Sequence, residues 1–163
     1  MSGIALARAY ARGRQRIREQ NAEERQASDR RFRPVLVPTN CVIERLGIDV
    51  DSVHAMVDSG RLLWVFNVST NPASRSLRFW LGELLAPELQ RSLPVETVIQ
   101  CIVGHELFPD LSTYTVEQIL FVRRQIVFDL HVSGELRGRI DGHVRWTTRE
   151  SLVSFLSRRW LGC

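Results

Sequence analysis

The sequence predicts an α+β fold, mainly α, in which two copies of one small unit are joined by a helical linker and preceded by a basic arm. Three observations predict it: a segment repeats at a fixed offset, each copy places helical periodicity before a hairpin signal, and arginine is concentrated near the N-terminus. We expect the arm at 1–36, the first unit at 37–89, the linker at 90–111 and the second unit at 112–163.

Composition limits the class of protein. The 163 residues are 44% hydrophobic and 25% charged, a balance that supports a folded core. No apolar run approaches the roughly 18 to 20 residues that cross a bilayer, so we expect no membrane association. The three cysteines form no CxxC pair, and no disulfide framework or metal site is predicted. We therefore expect a cytoplasmic protein in a reducing compartment.

The arm carries most of the positive charge. All 22 basic residues are arginine, and residues 1–36 hold nine of them against four acidic residues, a net charge of +5, whereas the rest of the chain is at −1. Arg12, Arg14 and Arg16 lie in a helix-like stretch, and few apolar residues follow it. Such an arm is typical of a segment that binds an anionic polymer. A solubilising extension and a mitochondrial presequence are the alternatives.

The repeat is visible as paired segments. Ser59–Leu62 matches Ser133–Leu136 at an offset of 74, and Leu77–Phe79 matches Val144–Trp146 at an offset of 67. The change of seven residues predicts a longer hairpin tip in the first copy. One internal duplication explains both offsets.

The helices of the second copy follow from caps and apolar spacing. We expect Ser112 or Thr113 to cap a helix through Leu120, and a turn to follow at 121–123. The next helix, at 124–132, buries Val127 and Leu130 and ends at Gly134 in the left-handed conformation.

A hairpin and a last helix complete the copy. Strands at 136–140 and 144–147 flank Asp141-Gly142, a strong hairpin signal. Thr147 and Glu150 have the spacing of a capping box. The apolar face of the helix that they begin is Leu152, Val153, Phe155 and Leu156.

The linker predicts one more helix. Residues 95, 98, 99, 102 and 103 form an apolar stripe, which either packs the two copies together or pairs across a homodimer. Cys101 and His105 are four residues apart, and we interpret them as a core cysteine beside a surface histidine rather than as metal ligands.

The second copy resembles a known family. Its Ser-Gly-Glu-Leu at 133–136, its short basic hairpin and its Arg-Glu-Ser-Leu-Val-Ser-Phe-Leu at 149–156 resemble the excisionase-like winged helix-turn-helix domains, relatives of the MerR-type DNA-binding domain. The resemblance covers residues 112–159. The first copy resembles the family only through the duplication, and it departs by its longer wing, by Trp80-Leu81 in place of Thr-Thr, and by Pro87.

The resemblance implies a DNA-binding surface. The helix at 124–132 would enter the major groove, and the hairpin would act as the wing. Arginine suits guanine and phosphate, and glutamine suits adenine. The implied contacts are, in the helix, Arg123, Arg124, Gln125 and Asp129, and in the wing, Arg137, Arg139, His143 and Arg145.

The two copies differ in charge. Residues 112–163 carry +3, whereas residues 37–111 carry −4, and the first copy's equivalent helix begins with Asp49 and Asp51. A phosphate backbone would repel that helix. We expect the second copy to be the main reader and the first, through Arg75 and Arg78 of its wing, to be a helper or a protein contact surface.

No nucleophile, phosphate-loop or metalloprotease motif is present, and we expect neither catalysis nor a cofactor. The predicted function is sequence-specific binding of double-stranded DNA by a transcriptional regulator or a recombination directionality factor of a mobile element, located at a bacterial nucleoid. A homodimer or a recombinase is the expected protein partner. A DNA-packaging or partition adaptor and a protein-interaction module are the alternatives.

Overall fold

A computed structural model describes residues 35–71, 74–86, 92–104, 109–142 and 144–162. They belong to the second of two units into which contacts divide the chain, Pro34–Cys163. In this part of the chain the fold is α+β, as predicted, with seven helices and two three-stranded sheets. Several residues singled out above lie outside the described ones, namely Arg12, Arg14, Arg16, Pro87, His105 and His143.

The first half of the described structure runs from a strand to a short helix. Its elements are β1 (Leu36–Pro38), α1 (Thr39–Leu46), α2 (Val50–Asp58), β2 (Val65–Asn67), β3 (Leu77–Trp80) and α3 (Leu81–Leu85). The strands form an antiparallel sheet in the order β1-β3-β2, with Val37 and Val65 both opposite Phe79. We call β2, β3 and their connection the first hairpin.

After the linker helix α4 (Val95–Val103), the second half repeats this order. Its elements are β4 (Asp110–Ser112), α5 (Thr113–Leu120), α6 (Arg124–Val132), β5 (Ile140–Asp141), β6 (Val144–Thr148) and α7 (Arg149–Arg159). The sheet order, β4-β6-β5, is the same as in the first half. We call β5, β6 and their connection the second hairpin.

The repeat found in the sequence is therefore also a repeat of elements. Adding 74 to the bounds of β1, α1 and α2 gives the bounds of β4, α5 and α6. Burial follows the same offset at two core positions, because Val42 and Val116 are both fully buried, and so are Val53 and Val127, whereas exposed Leu46 is matched by buried Leu120. The predicted helix at 124–132 is confirmed, including buried Val127 and Leu130 and a left-handed Gly134 with φ of 77°.

Three local predictions are wrong. Thr148, not Thr147, caps the last helix by accepting a hydrogen bond from Ser151 N, while Thr147 is buried beside His131 Nε2. The strand predicted at 136–140 is reduced to Ile140–Asp141. Cys101 is exposed rather than in the core, since α4 buries the opposite face, Val98, Ile99, Ile102 and Val103. Strands β1 and β4 are not predicted by the sequence.

The linker helix packs against the second half. It contacts α7 along its length, and Arg149 at the start of α7 donates to the carbonyl oxygen of Gly104 and to Gln100 Oε1. Packing of the two copies together and pairing across a homodimer both stay predictions, because the contacts found join the linker helix to α7 of the second half. Four of the five residues of its apolar stripe, Val98, Ile99, Ile102 and Val103, are buried within the chain.

The C-terminal segment closes the structure by returning to the first half. The Trp160 ring stacks on Trp64 with centroids 5.4 Å apart, and Trp160 Nε1 donates to Leu63 O at 2.8 Å. Leu161 N donates to Val65 O at 2.8 Å, so the chain after α7 runs beside β2. These contacts hold the two halves in one body.

Candidate nucleic-acid interface

The two helices α5 and α6 are joined by a three-residue turn. Ser112 caps α5 by accepting from Thr115 N, and the helix ends at Leu120, which is followed by Phe121 with a left-handed φ of 51°. The equivalent residue in the first half is Gly47, with φ of 66°. A left-handed conformation is unfavourable for a bulky side chain, so this turn carries backbone strain that its counterpart avoids.

Three polar residues begin α6, and all are exposed: Arg123, Arg124 and Gln125. Arg124 Nε lies 2.7 Å from Glu117 Oε1, and Gln125 Nε2 donates to Asp129 Oδ1 at 2.9 Å. Arg123 forms no ion pair with any described residue. The predicted helix contacts therefore lie together, but three of the four, Arg124, Gln125 and Asp129, are hydrogen-bonded within the protein.

Of the arginines predicted in the wing, Arg145 of β6 lies beside this helix, while Arg137 and Arg139 precede β5. Arg145 lies over the Phe128 ring of α6 at 5.7 Å from the centroid, and Arg139 lies over the Trp146 ring at 5.5 Å. Arg139 Nε also donates to Asp110 Oδ2 at 2.8 Å, a contact that raises the pKa of this guanidinium. Arg137 is exposed, and its backbone N–H donates to Ser151 Oγ at 2.7 Å.

Gly138 fixes the path of the chain into the hairpin. A Cβ at this position would overlap the carbonyl oxygen of Trp146 and contact the backbone of Thr147. The close approach allows Trp146 N to donate to Arg139 O at 2.9 Å and Thr148 N to donate to Arg137 O at 3.0 Å. A residue without a side chain is thus what brings Arg137 and Arg139 against β6.

Acidic partners that sequence reasoning missed reduce the positive charge of this surface. Glu117 pairs with Arg124, and Asp110 and Asp141 both pair with Arg139. In the sequence these ion pairs are visible only as acidic residues a short distance along the chain from arginines. That proximity does not show which acidic residue pairs with which arginine. The arginines of this surface without an ion pair to a described residue are Arg123, Arg137 and Arg145.

The two arginines predicted on the first hairpin have different surroundings. Arg75 is exposed, and its Nη1 lies 3.2 Å from Asp58 Oδ1. Arg78 is half-buried, and its guanidinium donates to Leu120 O at 3.1 Å and to Phe121 O at 2.9 Å. Arg78 is thus engaged with the turn between α5 and α6 rather than with the free face of its own hairpin.

The first half has an acidic start to its second helix. Asp49 caps α2 by accepting from Ser52 N at 2.7 Å, and this hydrogen bond lowers the pKa of the Asp49 carboxyl. Asp51 follows it in the first turn and is exposed. At the positions equivalent to Arg123 and Gln125 this helix therefore presents two carboxylates.

A search of the described residues finds no group of three His, Cys, Asp or Glu side chains that could hold a metal ion. None of their helices is long and apolar enough to cross a membrane. Comparison of the chain with protein-family models, with curated proteins and with solved structures finds no match.

Proposed function

We propose that each half is a winged helix-turn-helix unit and that the second binds double-stranded DNA in a sequence-specific way. The observation that carries the proposal is that three exposed residues, Arg123 at the end of a three-residue turn and Arg124 and Gln125 after it, lie at the start of α6. In helix-turn-helix proteins the start of the second helix meets the base edges. The repeated element order and the resemblance of 112–159 to excisionase-like domains support the assignment.

In this proposal α6 enters the major groove and the second hairpin contacts the backbone. Arg123 has no ion pair to a described residue and can bind a phosphate or guanine directly. Arg124 must exchange the Glu117 carboxylate for DNA, an exchange between two charge-assisted hydrogen bonds. The Gln125 amide must likewise leave Asp129 to pair with adenine. Because each side chain gives up a protein partner, such exchanges favour a DNA sequence that offers a well-placed hydrogen-bond partner to each of them.

The role follows from the same resemblance. The proposed role is that of a transcriptional regulator or of a recombination directionality factor of a mobile element, located at the nucleoid. Such a protein uses one unit of this kind to read a DNA site and other surfaces to contact a polymerase or a recombinase. The first half, whose α2 begins with Asp49 and Asp51, serves as the helper or the protein contact surface.

The first experiment tests for DNA binding itself. Site selection from a random duplex library identifies a preferred sequence, and fluorescence anisotropy then measures its affinity from about 50 to about 200 mM salt. We expect affinity to fall steeply with salt, because arginine–phosphate contacts release counterions. Failure to select any sequence, together with no salt-dependent binding, would remove the proposal.

The second experiment tests which helix reads sequence. Arg124→Ala and Gln125→Ala should each relax preference at particular base pairs by about tenfold, since a base-reading contact is worth roughly 1 to 3 kcal/mol. Asp51→Ala and His54→Ala, on the equivalent helix of the first half, are the matched controls and should leave preference unchanged. If the controls abolish preference and the α6 variants do not, the reader is the first half.

One observation favours a second candidate, a protein-interaction module. Val132 at the end of α6 is 81% exposed, and Ile140 and Val144 of the second hairpin are 67% and 48% exposed. Exposed apolar groups of this kind suit a protein contact as well as thymine methyl groups. An interaction module, or a packaging adaptor that holds DNA without reading it, would show no base preference in the substitution experiment.

A further inference from the structure

A cleft lies between the first hairpin and the turn of the second half. Its volume is about 670 Å³, and its described walls include residues 68–70, Ser74, Ser76 and Arg78 on one side and Glu117 and residues 121–123 on the other. Ligand-binding clefts commonly have volumes of this size, and they commonly form where two structural units meet. The cleft is therefore large enough for a small organic molecule.

Two arginines without carboxylate partners line the cleft. Arg78 and Arg123 both contribute to its walls, and neither forms an ion pair in the part of the chain that the structure describes. Glu117 also lines it, but the Glu117 carboxylate is bonded to Arg124. Arg78 and Arg123 therefore give the described lining of the cleft an excess of positive charge.

Arg78 is bonded only to uncharged acceptors. Its guanidinium donates to the carbonyl oxygens of Leu77, Leu120 and Phe121 and to Ser76 Oγ. Burial lowers the pKa of Arg78, so its charge is costly where it stands. A cation that is partly removed from water is stabilised by an anion, and Arg78 forms no ion pair with a described residue.

The rest of the lining is divided between hydroxyl groups and apolar side chains. Ser69, Ser74 and Ser76 line the cleft on the first hairpin, and Ser69 Oγ and Ser74 Oγ are 2.5 Å apart. Phe121 and Ile126 line it on the second half, and Phe121 is 44% exposed. Hydroxyl and guanidinium groups bind phosphate oxygens, whereas an exposed phenyl ring packs against a flat ring.

We propose that this cleft binds a nucleotide, with the phosphate at Arg78, Arg123 and Ser76 and the base against Phe121. The occupant is either a free nucleotide or a nucleotide unit of DNA, since the two share this chemistry. Phe121 and Arg123 belong to the turn before α6, so an occupant would bridge the first hairpin and the helix proposed to read DNA. The site itself requires no base reading and does not depend on the proposed function.

The test uses the full chain and adenosine monophosphate as the probe. Isothermal titration calorimetry should detect its binding, with adenosine at least tenfold weaker because the phosphate contacts are lost. Arg123→Gln should weaken the mononucleotide about tenfold, by the same loss of charge-assisted hydrogen bonds. Arg61→Gln, an exposed arginine of the first half that does not line the cleft, is the control and should change nothing.

Three results would overturn the site: no binding of the mononucleotide at millimolar concentration, equal binding of adenosine, or equal weakening by Arg61→Gln. Adding a selected DNA duplex then distinguishes the two sources. Competition identifies a nucleotide of DNA as the occupant, and simultaneous binding identifies a free nucleotide. If no duplex binds at all, the proposed function fails while the mononucleotide titration still reports on the cleft.

Discussion

Arg78 joins the two halves, and its removal should destabilise the whole body. The perturbation is Arg78→Met, which keeps the length of the apolar side chain and removes the guanidinium. Leu77 O, Leu120 O and Phe121 O all lose a charged donor. The last two are carbonyl groups at the C-terminal end of α5, where no later turn of the helix supplies a partner.

The size of the effect follows from these three acceptors. The loss of a hydrogen-bond donor at a carbonyl group that water reaches in part lowers the free energy of unfolding by about 1 kcal/mol. Three such carbonyl groups give about 3 kcal/mol. Removing the guanidinium also removes the cost of keeping a cation partly out of water, which offsets about 1 kcal/mol. We therefore expect the free energy of unfolding to fall by about 2 kcal/mol, a large share of the 5 to 15 kcal/mol typical of a domain.

The assay is urea unfolding followed by tryptophan fluorescence, because Trp64 and Trp160 stack between the two halves and report their separation. Arg75→Met is the matched control on the same hairpin, since Arg75 forms only an exposed pair with Asp58 and should contribute at most about 1 kcal/mol. Equal losses in the two variants would refute the assignment of Arg78 as the link. A second unfolding transition in Arg78→Met alone would show that the halves have separated.

Three further predictions follow from single features. Gly138→Ala should lower the free energy of unfolding by about 1 to 3 kcal/mol, because a Cβ would overlap the Trp146 carbonyl oxygen. Urea unfolding measures this change, and an unchanged urea midpoint would contradict the prediction. Burial, with a smaller contribution from Arg145, lowers the pKa of His131 in the folded protein. Because the unfolded chain then binds more protons than the folded protein, the free energy of unfolding should fall as pH is lowered below about 6.5. Urea midpoints at about pH 7.5 and 5.5 measure this, and His131→Gln should flatten the dependence; an equal dependence in that variant would assign it to another group. Deleting residues 1–33 should weaken DNA binding for all sequences and reduce its salt dependence while leaving base preference intact, and an unchanged affinity at low salt would contradict this.

Much of the second half could be predicted because its signals are local. Helix α6 begins and ends where apolar spacing and Gly134 place it, and the Asp141-Gly142 turn marks the hairpin. The resemblance to excisionase-like domains implies Arg123, Arg124 and Gln125 as candidate contacts, and the predicted start of this helix fixes which residues its first turn presents. The offset of 74 predicts burial at some positions, such as Val42 and Val53, but not at Leu46, which is exposed where the second half buries Leu120.

Partners could not be predicted, because a residue type does not reveal what it meets. Arg78 has the same sequence context as Arg145, yet it bonds to carbonyl oxygens 42 and 43 residues away, while Arg145 lies over Phe128. Glu83 and Glu150 are matched by the repeat, but Glu83 is buried and accepts from Leu63 N and Trp64 N, while Glu150 is exposed. His131 stands where the first half buries Val57, and it is bonded to Thr147.

The sequence by itself determined the duplicated order of helices and hairpins, the unequal charge of the two copies and the exposed polar start of α6. Periodicity, caps and turn residues act over a few positions, so a linear pattern records them. The tertiary structure decided that the first hairpin packs against the turn before α6, that Phe121 adopts a left-handed conformation beside Arg78, and that a cleft lies between them. These features depend on the packing of segments about forty residues apart, and no local pattern specifies that packing.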